Sequence, residues 1–354
     1  MLRIFALTVL FLTGAGFAAD QNGLHISIEP KAIYKRPDPG HSKTESWYAW
    51  LLVKDDGDPN LDPVRLTLQA FKGTTLIESR VIESATLKNL ELHSFTVDAK
   101  TPKISPLRKY QRPEIYDFRL QMTEPLISAA DSMLVRFVGR NKRGKIVASE
   151  VKIPILVYQQ KTRLIFPFHG NGIVSQGSIN DGGHANLANQ YALDVIGLTE
   201  ETYGPQTRDK DENDAYAGWG REIIAPADGV VVYARNDVPD NSKLYEDPDP
   251  SKWESLPEPI NAIAGNCVII DHLNGEFSVM MHMRQGSIKV HKGESVKAGQ
   301  AVGNLGDSGD AYGPHLHFQL QNGPELFSYP SVPVTFSNAM FDKPMYRGSY
   351  FRTH

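Results

Sequence analysis

The 354-residue chain has a single cysteine, Cys267. No disulfide can form within it, which excludes a small fold stapled by bridges. Excess basic charge is also missing: 37 Lys and Arg stand against 41 Asp and Glu, for a formal net charge of −4. A nucleic-acid footprint needs a basic patch in a basic domain, so no nucleic-acid partner is expected. Beyond the first twenty residues no apolar run reaches the length needed to span a bilayer, about 20 residues. No strong amphipathic helix and no repeat of fixed period can be found, which argues against helical bundles and solenoids. What remains is ordinary for a globular protein: 41% hydrophobic and 22% charged residues, enough to bury a full core. The length predicts two domains and a leader.

The leader is expected over residues 1–19. Arg3 supplies a short positive segment, Ile4 to Leu12 an apolar run, and Gly16-Phe-Ala-Ala19 small residues for cleavage. That order reads as a secretory signal peptide, with an uncleaved N-terminal anchor as the alternative. Once it is cleaved, no stable membrane span is expected.

Residues 20–158 read as β throughout. Leu24–Ile28, Trp47–Val53, Val64–Phe71, Thr75–Ile82, His93–Val97, Met133–Arg140 and Ile146–Ile155 are short runs rich in β-branched and aromatic residues. Turn signals such as Pro37-Asp-Pro-Gly40, Lys72-Gly73 and Asn141-Lys-Arg-Gly144 separate them. About seven short strands with regular turns predict an immunoglobulin-like β-sandwich. His25, His41 and His93 are isolated and read as surface or packing residues. Val157 to Arg163 reads as a linker, residues 164–336 as a second β-rich domain, and residues 337–354 as a C-terminal tail. The predicted fold class is therefore all-β in both halves.

In that second domain Asp209–Asp214 and Asn236–Pro259 read as solvated excursions. The first lacks the Gly and closing Glu of a calcium-binding EF-hand loop. Cys267 lies in the apolar run Asn266–Asp271 and reads as packing rather than as a nucleophile. Residues 288–303 alternate short apolar pairs with glycines, a pattern of tight hairpins. That run also resembles a lipoyl or biotinyl carrier, but no modifiable lysine sits at a suitable turn tip.

Seven of the eleven histidines fall between residues 169 and 317. The most informative stretch is Gly313-Pro-His-Leu-His-Phe318. On a strand, alternation places His315, His317 and Gln319 on one face and Leu316, Phe318 and Leu320 on the other. Two imidazoles on a rigid strand can bind a metal, or one can bind it while the other moves protons. They can also be two exposed histidines on a half-buried strand. Asn189–Val195 reads as a second strand, with Asp194 and Ala192 opposite Tyr191, Leu193 and Val195. His282 closes a third apolar strand, Ser278–Met283.

These three segments, with Ala225-Pro-Ala-Asp-Gly-Val-Val231, Gly265–His272 and Val296-x-x-Gly-Gln-x-Val-Gly303, resemble the LytM/lysostaphin family of zinc metallopeptidases, the M23 peptidases. Six blocks follow the family's order across residues 164–336, and none falls in the N-terminal half. The resemblance implies an antiparallel-sheet peptidase domain in which His184, Asp194 and His317 bind Zn²⁺. It places His315 and His282 beside the metal: His315 to take a proton from water, His282 to hydrogen-bond the oxyanion. It implies a secreted or periplasmic bacterial enzyme that hydrolyses peptide bonds, expected in peptidoglycan cross-links, with peptidoglycan or another peptide as substrate. The alternative is a non-catalytic LytM-like binding or regulatory module of the cell envelope.

One departure concerns the first ligand. The compact family pattern is His-x-x-x-Asp, whereas His184 lies ten positions before Asp194. His169, in Phe166-Pro-Phe-His-Gly170, is the rival. The turn-rich Asn180-Asp-Gly-Gly183 favours His184, because it lets a loop return to the Asp194 strand. His272 and His291 read as surface or neighbouring residues. Asp307 and Asp310 read as turn formers, with steering of a basic substrate group as the other reading.

Overall fold

The computed structural model describes residues 23–35, 44–55, 61–89, 95–97, 104–106, 114–123, 129–177, 184, 187–200, 204–207, 212–242, 244, 248–249, 251–258, 261–342, 345 and 347–353. The expected signal segment 1–19, His41 and His93 lie outside these residues. The chain divides into two compact units, 1–158 and 159–354.

Among the described residues, the first unit holds two larger sheets and a two-stranded one, Phe95–Val97 with Ile104–Pro106. Leu24–Glu29, Thr44–Asp55 and Glu114–Thr123 form one of the larger sheets, in that order. The other runs Ile33–Lys35, Ile146–Val157, Ser132–Arg140, Asp62–Lys72, Thr75–Glu83. Pairing is antiparallel apart from the parallel seam of Ile33–Lys35 on Ile146–Val157. Period-two patterning explains the strands: Leu66, Leu68 and Ala70 turn into the core, as do Met133, Val135 and Phe137 on their neighbour. The strand Glu114–Thr123 was not foreseen from sequence, nor was the short helix Ser84–Asn89.

The second unit is built on a ten-stranded sheet. Its order is Ser295–Val296, Gly229–Arg235, Asn266–Asp271, Phe277–Met283, Leu316–Gln321, Leu193–Gly197, Asn171–Gln176, Tyr350–Thr353, Ala339–Phe341, with Ser331–Val332 beside Leu316–Gln321. All its pairings are antiparallel. The fold class is all-β and antiparallel, as expected. The strand expected from Asn189 starts only at Leu193, because Leu187–Tyr191 is a turn whose Asn189 carbonyl accepts from the Ala192 amide at 2.9 Å.

Residues 337–354 are more than a tail. Ala339–Phe341 and Tyr350–Thr353 join the sheet, the latter against Asn171–Gln176. The cause is aromatic packing too sparse in sequence to register as a strand pattern. Phe351 lies 4.3 Å from Phe166 and 5.3 Å from Phe341 by ring centroids. Gly172 makes room for it, since a Cβ there would sit 2.2 Å from the Phe351 ring. Phe351→Ala is expected to cost about 3–5 kcal/mol, the usual loss for a buried aromatic. Denaturant unfolding of the second unit checks this; a change below about 1 kcal/mol would restore the tail reading.

Candidate metal centre

Asp194 and His317 are direct cross-strand partners in the register of Leu193–Gly197 with Leu316–Gln321. Directly opposed residues share a face, so both side chains project together while Leu193, Val195, Leu316 and Phe318 fill the core behind them. His317 Nδ1 lies 2.9 Å from Asp194 Oδ1. His184 joins them: its Nδ1 donates to the Gly177 carbonyl at 3.1 Å, and its Nε2 lies 3.1 Å from Asp194 Oδ2. The ligand-type atoms of His184, Asp194 and His317 all lie within 4.8 Å of one another. His169 is elsewhere, exposed, with its carbonyl near the Arg221 guanidinium.

His315 precedes the strand, bridged to Gly306. Its Nδ1 donates to the Gly313 carbonyl at 2.8 Å, and its Nε2 lies 3.8 Å from Asp194 Oδ1. His282 reaches the group by an unusual route. A regular strand would send it to the face opposite Met281, and Met281 is the partner of His317. Instead His282 has φ of 61°, and Met281 and His282 together oppose Cys267 in a bulge. That turn brings its ring within 4.8 Å of His315 and 6.0 Å of His317 by centroids. The Ser308 carbonyl anchors it, accepting from His282 Nδ1 at 2.8 Å. Ser308 is held in turn by its hydroxyl, which donates to the Met283 carbonyl at 2.6 Å and accepts from the Asn266 amide at 2.8 Å. Gly265, at φ of 63°, is required beside it, because a Cβ would come within 2.3 Å of the Ser308 carbonyl oxygen.

This anchoring revises one expectation. A carbonyl only accepts, so His282 carries its proton on Nδ1, and burial holds the ring well below its usual pKa and hence neutral. Its Nε2 is an acceptor and can donate to an oxyanion only after taking up a proton. The sequence offered no sign of the φ reversal, and it singled out neither Ser308 nor Gln319.

Charge at the group follows from burial and contact. Burial works against ionised Asp194, but the field of His184 and the hydrogen bond with it outweigh this and keep the carboxyl well below its usual range. Burial also opposes a charged His184, yet Asp194 raises its pKa above the usual value. The space between these residues therefore favours a positive charge. A metal cation fits there: two imidazole nitrogens and a carboxylate converge, and each imidazole has its other nitrogen occupied, by the Gly177 carbonyl for His184 and by Gln319 Oε1 for His317.

Residues 213–327 match the family model described as Peptidase family M23. Residues 213–327 are a peptidase family M23 domain. Over 105 residues it is 42% identical to the peptidoglycan DD-endopeptidase ShyC of Vibrio cholerae, covering 29% of this chain and 20% of that one. Over 101 residues it is 32% identical to ShyA of the same organism, also named a peptidoglycan DD-endopeptidase, covering 28% and 17%. The match thus spans a fifth or less of each relative's length. Among solved structures, the lysostaphin catalytic domain of Staphylococcus simulans aligns with a TM-score of 0.26 at 18% identity, covering 46% of this chain and 88% of that one. The matched segment of the M23 domain contains His282, His315 and His317; His184 and Asp194 precede it.

No other described residue of the M23 domain singled out from sequence is among the convergent ligand atoms. His272 is buried rather than on the surface, with Nδ1 2.8 Å from the Asp228 carbonyl and Nε2 2.7 Å from Ser278 Oγ. His291 is exposed beside Glu294. Asp307 has no exposed surface, and burial pushes its carboxyl up to about 8, so it presents no charge to a substrate. Cys267 packs with Ile269, Val279 and Met281, and burial pushes its thiol up to about 12. Among the described residues, no helix is long and apolar enough to cross a membrane.

Proposed function

We propose that this protein is a zinc metalloendopeptidase of the bacterial cell envelope that hydrolyses peptide cross-links in peptidoglycan. The observation that carries this reading is the convergence of His184, Asp194 and His317 beside two further imidazoles, those of His315 and His282. In this reading those three residues hold Zn²⁺. Bound there, the metal supplies Lewis acidity, polarising the scissile carbonyl and lowering the pKa of water toward 7. The protein's own contribution is proton traffic. His315 Nε2, beside the carboxylate and with Nδ1 committed to the Gly313 carbonyl, is placed to accept the first proton. His282 Nε2, with its ring 4.8 Å from that of His315 by centroids, offers a second acceptor and, once charged, a donor to the departing amine or the oxyanion. Secretion rests on the residue 1–19 leader, and the peptidoglycan substrate on the names of the similar proteins.

Purified peptidoglycan sacculi from several wall types, digested with the protein with and without a chelator, test the proposal. Mass spectrometry of the muropeptides should show cross-linked dimers converted to monomers, with loss on chelation and recovery on adding zinc. Unchanged muropeptides from every wall type would overturn it.

A further inference from the structure

The face of Leu316–Gln321 that carries His317 continues with Gln319 and Gln321, and all three side chains are buried. Their hydrogen bonds form one directed chain. Gln321 Nε2 donates to the Gly323 carbonyl at 2.7 Å and the Glu325 carbonyl at 3.0 Å. Carbonyls only accept, so this amide cannot be reversed, and Gln321 Oε1 must face Gln319. Gln319 Nε2 donates to it at 2.6 Å and to the Ala188 carbonyl at 3.2 Å, which fixes the second amide as well. Gln319 Oε1 is left to face His317 Nε2 at 2.9 Å. An amide oxygen there requires the histidine proton to sit on Nε2. The lone pair is then on Nδ1, the atom 2.9 Å from Asp194.

We propose that Gln319, backed by Gln321, is a positioning residue that sets the tautomer of His317 and so presents Nδ1 as a metal ligand. This rests on the zinc reading given above, though the proton's position can be tested without metal. Two influences compete in the metal-free protein. The Asp194 carboxylate favours a proton on His317 Nδ1, whereas Gln319 favours Nε2. Gln319 prevails because reversing its amide would set NH₂ against the His317 ring while its oxygen met two acceptors, Ala188 O and Gln321 Oε1. The neighbourhood is dry as well: Val279 and Met281 oppose Gln319 and His317 across the sheet, so an unpaired amide would be left unsolvated.

The test uses the full chain and the variants Gln319→Met, Gln319→Glu and Gln321→Met. Zinc affinity is measured by chelator competition, and the His317 ring is read by ¹⁵N NMR in metal-free protein. Wild type should show Nε2–H. Gln319→Met, which keeps the shape and loses the acceptor, should shift the ring toward Nδ1–H and weaken zinc about 10- to 100-fold. Gln319→Glu keeps an acceptor for Nε2–H and should hold zinc near the wild-type level with reduced thermal stability. Gln321→Met should fall between them. Wild-type Nδ1–H, or unchanged zinc affinity in Gln319→Met, would overturn the proposal. If Gln319→Met does not fold, equal zinc loss in Gln319→Glu and Gln321→Met would overturn it too. Wild-type protein that shows Nε2–H but binds no zinc would defeat the zinc reading and leave the relay standing.

Discussion

Asp194→Ala is expected to abolish tight zinc binding and to lower peptide hydrolysis by more than about 10⁴-fold, beyond the 10²–10⁴ usual for a single proton-transfer residue. Asp194 is the common partner of the group. Its two oxygens face His184 and His317 at 3.1 and 2.9 Å, and His315 stands 3.8 Å away. Removing it takes away the anionic member of the proposed ligand set and the partner that raises the His184 pKa. The fold should tolerate this better than the loss of a partner from a buried ion pair, which costs about 3–5 kcal/mol. His184 can release its proton once the carboxylate is gone, so no stranded charge remains. Metal analysis of purified Asp194→Ala, beside a denaturation curve, checks both halves. Full zinc occupancy would remove Asp194 from the ligand set.

His315→Ala and His282→Ala are expected to retain zinc and lose about 10²- to 10⁴-fold in rate. Neither is among the three convergent ligand atoms, and each has its Nδ1 tied to a backbone carbonyl and its Nε2 free. His282 offers a sharper comparison through its backbone. A non-glycine residue at φ of 61° carries strain of about 1–3 kcal/mol, the kind retained where function needs it. His282→Gly should therefore be as inactive as His282→Ala yet melt at a higher temperature, the gap corresponding to about 1 kcal/mol. Equal melting temperatures would show that the left-handed turn carries no strain. Wild-type turnover in either Ala variant would remove that histidine from the chemistry.

Much of this could be read from sequence because strands advertise themselves in pairs of residues. His315-Leu-His317 and the alternation around Asp194 announce a face, and six blocks in order tie that face to a fold. The Gly-rich Asn180–Gly183 read as a returning loop lies outside the described residues, while His184 itself stands beside Asp194. The role of His282 was harder to read, because a single positive φ reversed its side chain and no residue type marks that reversal. Gln319 was placed on the correct face and given no role, since its meaning depends on carbonyls of Ala188, Gly323 and Glu325 that only the folded chain brings near. The strand Tyr350–Thr353 escaped notice because its hold on the sheet comes from Phe166, distant in sequence.

The pairing of Asp194 with His317 joins positions 123 residues apart. A strand slipped by one position would set Asp194 against a core residue and turn Leu193 and Val195 toward solvent. For the proposed site, metal-binding competence thus requires correct registration of the sheet. A chain that misaligns these two strands exposes apolar surface and lacks the ion at once. Zinc uptake from zinc-replete medium should then report folding fidelity, because every misregistered molecule falls in the fraction that cannot take up the metal.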